Sequence, residues 1–95
     1  MILMIDDIKM VNAETFFPYI SKSLGLGNNK ITDENKLYDV LAEFDDEVEI
    51  ILHDYNKVPE ESRKFARGIV RILMDAKVSN NKVSVEFVNN DDYKL

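Results

Sequence analysis

Apolar positions along the chain follow two rhythms, one of period two and one close to 3.6 residues. Ile2-Leu3-Met4-Ile5 is a short apolar run closed by Asp6-Asp7, which predicts a first strand over 2–5. The strand either stops there or continues through Ile8 to Val11 with a kink or turn. Asn12 stands where a helix N-cap is wanted, and Phe16, Phe17, Ile20 and Leu24 then recur at helical spacing. Pro18 conflicts with an uninterrupted helix, because it lacks an N–H and its ring collides with the preceding turn. The helix therefore starts near Thr15 or is kinked. Gly25 and Gly27 end it, since glycine reaches the left-handed conformation at low cost.

Residues 25–32 read as an exposed loop. Thr32 or Asp33 caps the next helix, and Asp33 and Glu34 suit the positive end of its dipole. Leu37, Val40, Leu41 and Phe44 form its buried stripe, with Asp39 and Glu43 off the stripe and Tyr38 on its flank. Asp45-Asp46-Glu47 breaks the pattern. Val48 to Leu52 follows as a strand, and its unbroken apolar stretch at 50–52 predicts a central strand covered on much of both faces. Val58-Pro59-Glu60-Glu61-Ser62 reads as a helix entry. Phe65, Ile69, Ile72, Leu73 and Ala76 define a strongly amphipathic helix. Asn80-Asn81 turns the chain, and Val83, Val85 and Phe87 alternate with Ser84 and Glu86 as a last strand. The polar tail 89–95 is expected to fray.

Strands separated by helical crossovers favour a parallel sheet. The expectation is one small two-layer α/β domain over 1–95, with a three-stranded parallel sheet packed against three to four helices. The 95 residues suffice for one domain, and 45% hydrophobic with 32% charged residues is a globular balance. The chain has no cysteine, so it offers no disulfide, thiolate zinc site or thiol nucleophile. No apolar run reaches the ~20 residues of a membrane span. The run at 2–5 lacks a basic flank and is too short for a signal-peptide core. A cytoplasmic protein is therefore expected.

Charge is unevenly spread. Residues 1–27 carry net −1, residues 28–62 net −8 and residues 63–95 net +3, within a total of −6. An excess of carboxylates disfavours direct binding to nucleic acid, which needs cations to displace counterions. It suits a basic partner instead.

Catalytic motifs are weak. His53 is the single histidine and precedes Asp54, but neighbours on a strand point to opposite faces. A partly solvated strand-end histidine is the better reading, with a small hydrolase using His53 and Asp54 as the competing one. Gly25-Leu26-Gly27 lacks the third glycine and preceding strand of a dinucleotide fingerprint. Asp45, Glu47 and Glu49 alternate like calcium ligands, without the glycine and closing glutamate of an EF-hand. The four scattered methionines read as core filler. These residues imply no cofactor, no metal and no enzyme. The feature with functional shape is the loop from Asn28 to Thr32 together with Asp33, Tyr38, Asp39 and Glu43. A carboxylate beside an aromatic ring can fill a cationic cleft.

The stretch N-K-I-T-D-E-N-K-L-Y-D-V-L at 29–41 resembles the helix-two motif Y-x-G-x-N-x-D-A-L-W-D-x-L of the barstar family. Members of that family are intracellular inhibitors of secreted ribonucleases of the barnase type. Leu37, Asp39 and Leu41 match outright, and Tyr38 stands at the tryptophan position. I-V-R-I-L-M-D-A-K at 69–77 and V-S-V-E-F at 83–87 resemble the family's last helix and strand. The likeness runs from residue 1 to about 88, in the same element order. It implies that Asp39 enters a ribonuclease active site at a substrate-phosphate position, flanked by Tyr38. Phe44 takes the aromatic position after the helix, and Asp75 supplies a peripheral carboxylate. Asn29 replaces the loop tyrosine, Ile31 the glycine, Asp33 the asparagine and Asn35 the first aspartate. The implied partner-binding set is Asn29, Ile31, Asp33, Asn35, Tyr38, Asp39, Glu43, Phe44 and Asp75. The implied partner is a basic protein, a ribonuclease or related toxin, bound by a monomer. The alternative is an immunity or regulatory protein that binds a different basic partner through the same face.

Overall fold

The computed structural model describes residues 1–27 and 30–89. Strand β1 (Ile2–Asp6) leads through helix α1 (Ala13–Ser23) and helix α2 (Glu34–Ala42) to strand β2 (Val48–His53). Helix α3 (Arg63–Ser79) and strand β3 (Val83–Val88) follow. The strands form a parallel sheet in the order β1-β2-β3, with Leu3 paired to Ile50 and Ile50 to Val85. This is the expected α/β architecture, with, among the described residues, three α-helices and short 3₁₀ turns at 7–9, 55–57 and 60–62. Among the described residues, no helix is long and apolar enough to cross a membrane.

Helices cover one face of the sheet. Leu3, Ile5, Val48, Ile50, Leu52 and Val83 are buried with the inward residues of all three helices. On the other face Ile2 is 69% exposed, Met4 45% exposed, and Glu49, Ser84 and Glu86 lie open. Burial of β2 on both faces is therefore corrected to one well-covered face, with Ile51 only half-buried. Parallel sheets usually carry helices on both sides. Among the described residues, all three helices pack on the same side, so the second face has no helical layer.

Beyond β1, the proposed extension to Val11 does not form. Asp7–Lys9 is a 3₁₀ turn, closed by Met10 N–H donating to the Asp7 carbonyl at 3.1 Å. The turn buries Met10 and leaves Ile8 outside. Asn12 caps α1, its Oδ1 accepting from Thr15 N–H at 2.8 Å. The helix begins at Ala13 and runs through Pro18. Pro18 and Glu14, the residue whose carbonyl loses its partner, are both exposed, so water can satisfy that carbonyl. After α1, the N–H groups of Gly25 and Leu26 donate to the carbonyls of Lys22 and Ser21, both at 3.0 Å. That is a Schellman closure, with Gly25 at φ 76°.

Phe16, Phe17 and Phe65 meet edge to face, with ring centroids 5.2–6.1 Å apart, and lock α1 to α3. One buried polar group braces the loop between α1 and α2. Ser21 Oγ accepts from Ile31 N–H at 2.8 Å and donates to the Ile31 carbonyl at 3.2 Å. Ser21→Ala would strand both backbone groups in the interior, and a loss of about 1–3 kcal/mol is expected. Urea denaturation would register it, with Ser84→Ala on the open sheet face as the unaffected control.

Candidate functional site

Helix α2 is short, so its direction depends on what holds its ends. At the N-terminus, Asp33 Oδ1 accepts from Lys36 N–H at 2.8 Å, which selects Asp33 over Thr32 as the cap. Gly68 on α3 leaves room there for Glu34, whose Oε1 would lie 3.2 Å from a Cβ at that position. At the C-terminus, Asn80 Nδ2 donates to the carbonyls of Leu41 and Phe44, at 2.9 and 3.0 Å. The Leu41 carbonyl also accepts from Phe44 N–H at 3.3 Å, so Asn80 adds a side-chain donor to the turn that closes the helix. The Asn80 Oδ1 accepts from Lys82 N–H at 3.0 Å, and the Lys82 ammonium donates to the Asp45 carbonyl. One side chain thus joins the end of α2 to the junction between α3 and β3.

Leu37 and Leu41 are fully buried, while Val40 and Phe44 are half-buried against the core. Turned outward, Asn35, Asp39 and Glu43 are all exposed and spaced four residues apart, in one row along α2. Among the described residues, the carboxylates of Asp39, Glu43 and Asp75 form no ion pair and no hydrogen bond. Tyr38 lies between this row and α3. It is half-buried, and its hydroxyl hydrogen-bonds Ser79 Oγ at 2.5 Å. Asp75 is one turn before Ser79 on α3 and exposed, so its carboxylate shares the row of α3 that Tyr38 touches.

Seven of the nine residues named from the sequence therefore gather around α2 and its contact with α3, from Asp33 through Phe44 and across to Asp75. Ile31 does not belong with them. Its side chain is 0% exposed and its backbone is held by Ser21, so it is a core anchor with no side-chain atoms to offer a partner. Asn29 lies outside the described residues. Phe44 gives only part of its ring to the surface.

His53 stands half-buried at the end of β2, as expected, but its expected separation from Asp54 does not hold. Its Nδ1 lies 3.2 Å from Asp54 Oδ2 and 3.6 Å from Asp6 Oδ1. The neighbours meet because the strand ends at His53 and Asp54 turns left-handed, at φ 59° and ψ 36°, which removes the strand alternation. Asp6 arrives by register, as the partner of His53 across β1 and β2. Among the described residues, no group of three or more His, Cys, Asp or Glu side chains is arranged to hold a metal ion.

Sequence reading passed over Ser21 and Asn80. Neither sits in a motif, and both act on backbone groups distant in sequence, so only Asn80's place beside a turn drew notice. Compared with protein-family models and with curated proteins, the chain matches none. Asn80→Ala would remove the side-chain donor from two carbonyls at the end of α2, of which Leu41 keeps the Phe44 N–H. A loss of about 1–3 kcal/mol is expected, with faster amide exchange at residues 41–45 than in the parent protein. Unchanged exchange there would remove Asn80 as the brace.

Proposed function

We propose that the chain is a barstar-like inhibitor of a ribonuclease, blocking the enzyme's active site with α2 and the loop before it. The observation that carries this reading is the Asp39 carboxylate, exposed on the outward row of α2 and, among the described residues, without a cation partner. A nuclease that cleaves a phosphodiester holds Arg, Lys or His where the phosphate sits. A carboxylate delivered there forms charge-assisted hydrogen bonds and cannot be cleaved. Tyr38 supplies an aromatic wall at small entropic cost, because Ser79 already restrains it. Inhibition is stoichiometric, and the cell that contains the nuclease's inhibitor is protected in its cytoplasm.

The net −8 of residues 28–62 supports the same reading, since opposite potentials accelerate encounter. The element order and parallel three-stranded sheet accord with the family the sequence resembles. Two features favour a different basic toxin as the alternative partner. The Ile31 side chain is buried where the family motif has glycine, and Asn35 is exposed without a charge.

Against a barnase-type ribonuclease, Asp39→Ala is expected to weaken the complex by about 2–5 kcal/mol, a range that draws on barnase–barstar itself. Isothermal titration measures it, and unchanged affinity removes Asp39 from the mechanism. Association of the parent protein is expected to slow as salt is added, because screening shortens the reach of its charges. If the ribonuclease is not inhibited while a different basic protein binds in an Asp39-dependent way, the alternative partner is the correct one.

A further inference from the structure

The N-terminal half of helix α3 carries cations where its dipole disfavours them. Arg63, Lys64 and Arg67 occupy the first turns of α3, all exposed, and its first turn holds no acidic residue. Cations at a helix N-terminus are disfavoured by the partial positive charge there. Arg63, Arg67 and Arg71 are spaced four apart and share one row of the helix surface. Among the described residues none of the three forms an ion pair, although Glu60 and Glu61 lie in the turn just before. The polar tie of this group is Arg63 Nε, which donates to the Val58 carbonyl at 3.3 Å. That bond orients the guanidinium and leaves its terminal N–H groups available. Folding therefore gains little from this arrangement.

A pocket opens beside the row. Its volume is about 380 Å³, and among the described residues it is lined by Tyr55, Asn56, Arg63 and Arg67. Tyr55 begins the 3₁₀ turn that follows the left-handed Asp54. Its ring is half-buried and held edge to face against Phe87, with centroids 5.5 Å apart. Asp54 N–H donates to the Val88 carbonyl at 2.7 Å, which ties the turn to the end of β3. The aromatic wall thus sits on restrained backbone, facing two guanidiniums one helical turn apart.

We propose that this pocket binds a mononucleotide, its base against Tyr55 and its phosphate between Arg63 and Arg67. Guanidinium groups match phosphate oxygens in paired, charge-assisted hydrogen bonds. An aromatic ring accepts any base by stacking, without reading its identity. The volume falls in the range of small-molecule sites and exceeds what inorganic phosphate needs. A polynucleotide is a poorer fit, since it would extend its phosphates over a chain of net charge −6. The site is independent of α2 and of the ribonuclease reading, so either can fail without the other.

The test is an amide and arginine-side-chain NMR titration of the full chain with adenosine 5′-monophosphate. Parallel arms use adenosine, inorganic phosphate and a short oligoadenylate. Saturable shifts are expected at residues 54–57 and 63–67, with adenosine and inorganic phosphate each bound at least about tenfold more weakly. Arg67→Gln, which among the described residues removes no ion pair or hydrogen bond, is expected to weaken the mononucleotide by about tenfold while the rest of the spectrum is retained. Tyr55→Leu is expected to bring the mononucleotide's affinity down toward that of inorganic phosphate. No saturable shift at millimolar mononucleotide overturns the proposal. So do equal affinities for mononucleotide and phosphate, tighter binding of the oligonucleotide, or an Arg67→Gln variant that binds as the parent does.

Discussion

Three helices on three parallel strands can hide one face of the sheet, and that limit sets the rest of the molecule. Parallel pairing needs a long crossover between each pair of strands. Here the first crossover carries α1 and α2, and the second carries α3. All three bury their apolar stripes on the same side, over Leu3, Ile5, Ile50 and Leu52. With the inward stripe of α2 spent on Leu37 and Leu41, its other face has nothing to meet. Asn35, Asp39 and Glu43 are exposed as a consequence. The same limit leaves Ile2 and Met4 on an uncovered sheet face.

A nine-residue helix is too short to hold its own shape in water. Packing and polar ties supply what its length does not. Ser21 holds the chain just before α2 by both backbone groups of Ile31, and Asn80 holds its far end by two carbonyls. Tyr38 adds a hydrogen bond to α3 on the flank. Such restraints matter for a surface proposed to enter another protein's cleft, because a group already in place loses less entropy on binding. Among the described residues, the carboxylate that would enter has no internal partner, while the groups behind it are tied down. That division between free and restrained groups is what the ribonuclease-inhibitor reading rests on.

Charge divides the molecule as well. Carboxylates dominate the middle third, while arginines line the outer row of α3. The two regions face separate tasks in the readings proposed, one toward a basic protein and one toward a phosphate. Neither arrangement is required by folding, since the core is apolar and among the described residues every buried side-chain polar atom has a hydrogen-bond partner.

Local chemistry was legible because its partners are close in sequence. Asn12 and Asp33 cap helices three residues ahead of the N–H groups they accept from, and Gly25 closes α1 where its permissive φ is needed. Periodicity identified Leu37 and Leu41 as inward and Asp39 as outward, because a helix repeats its faces every 3.6 residues. What the sequence by itself determined, then, was element type, order, caps and the partition of α2. Tertiary structure alone decided the rest. Ile31 went inward because Ser21, ten residues away, could bind its backbone. Asp54 met His53 because the backbone turned left-handed at the strand end. Asn80 reached a carbonyl 39 residues earlier in the chain, and β2 kept an open face because the helices among the described residues all pack on its other side. Each outcome depends on groups distant along the chain being brought together, and no local pattern of residues encodes that.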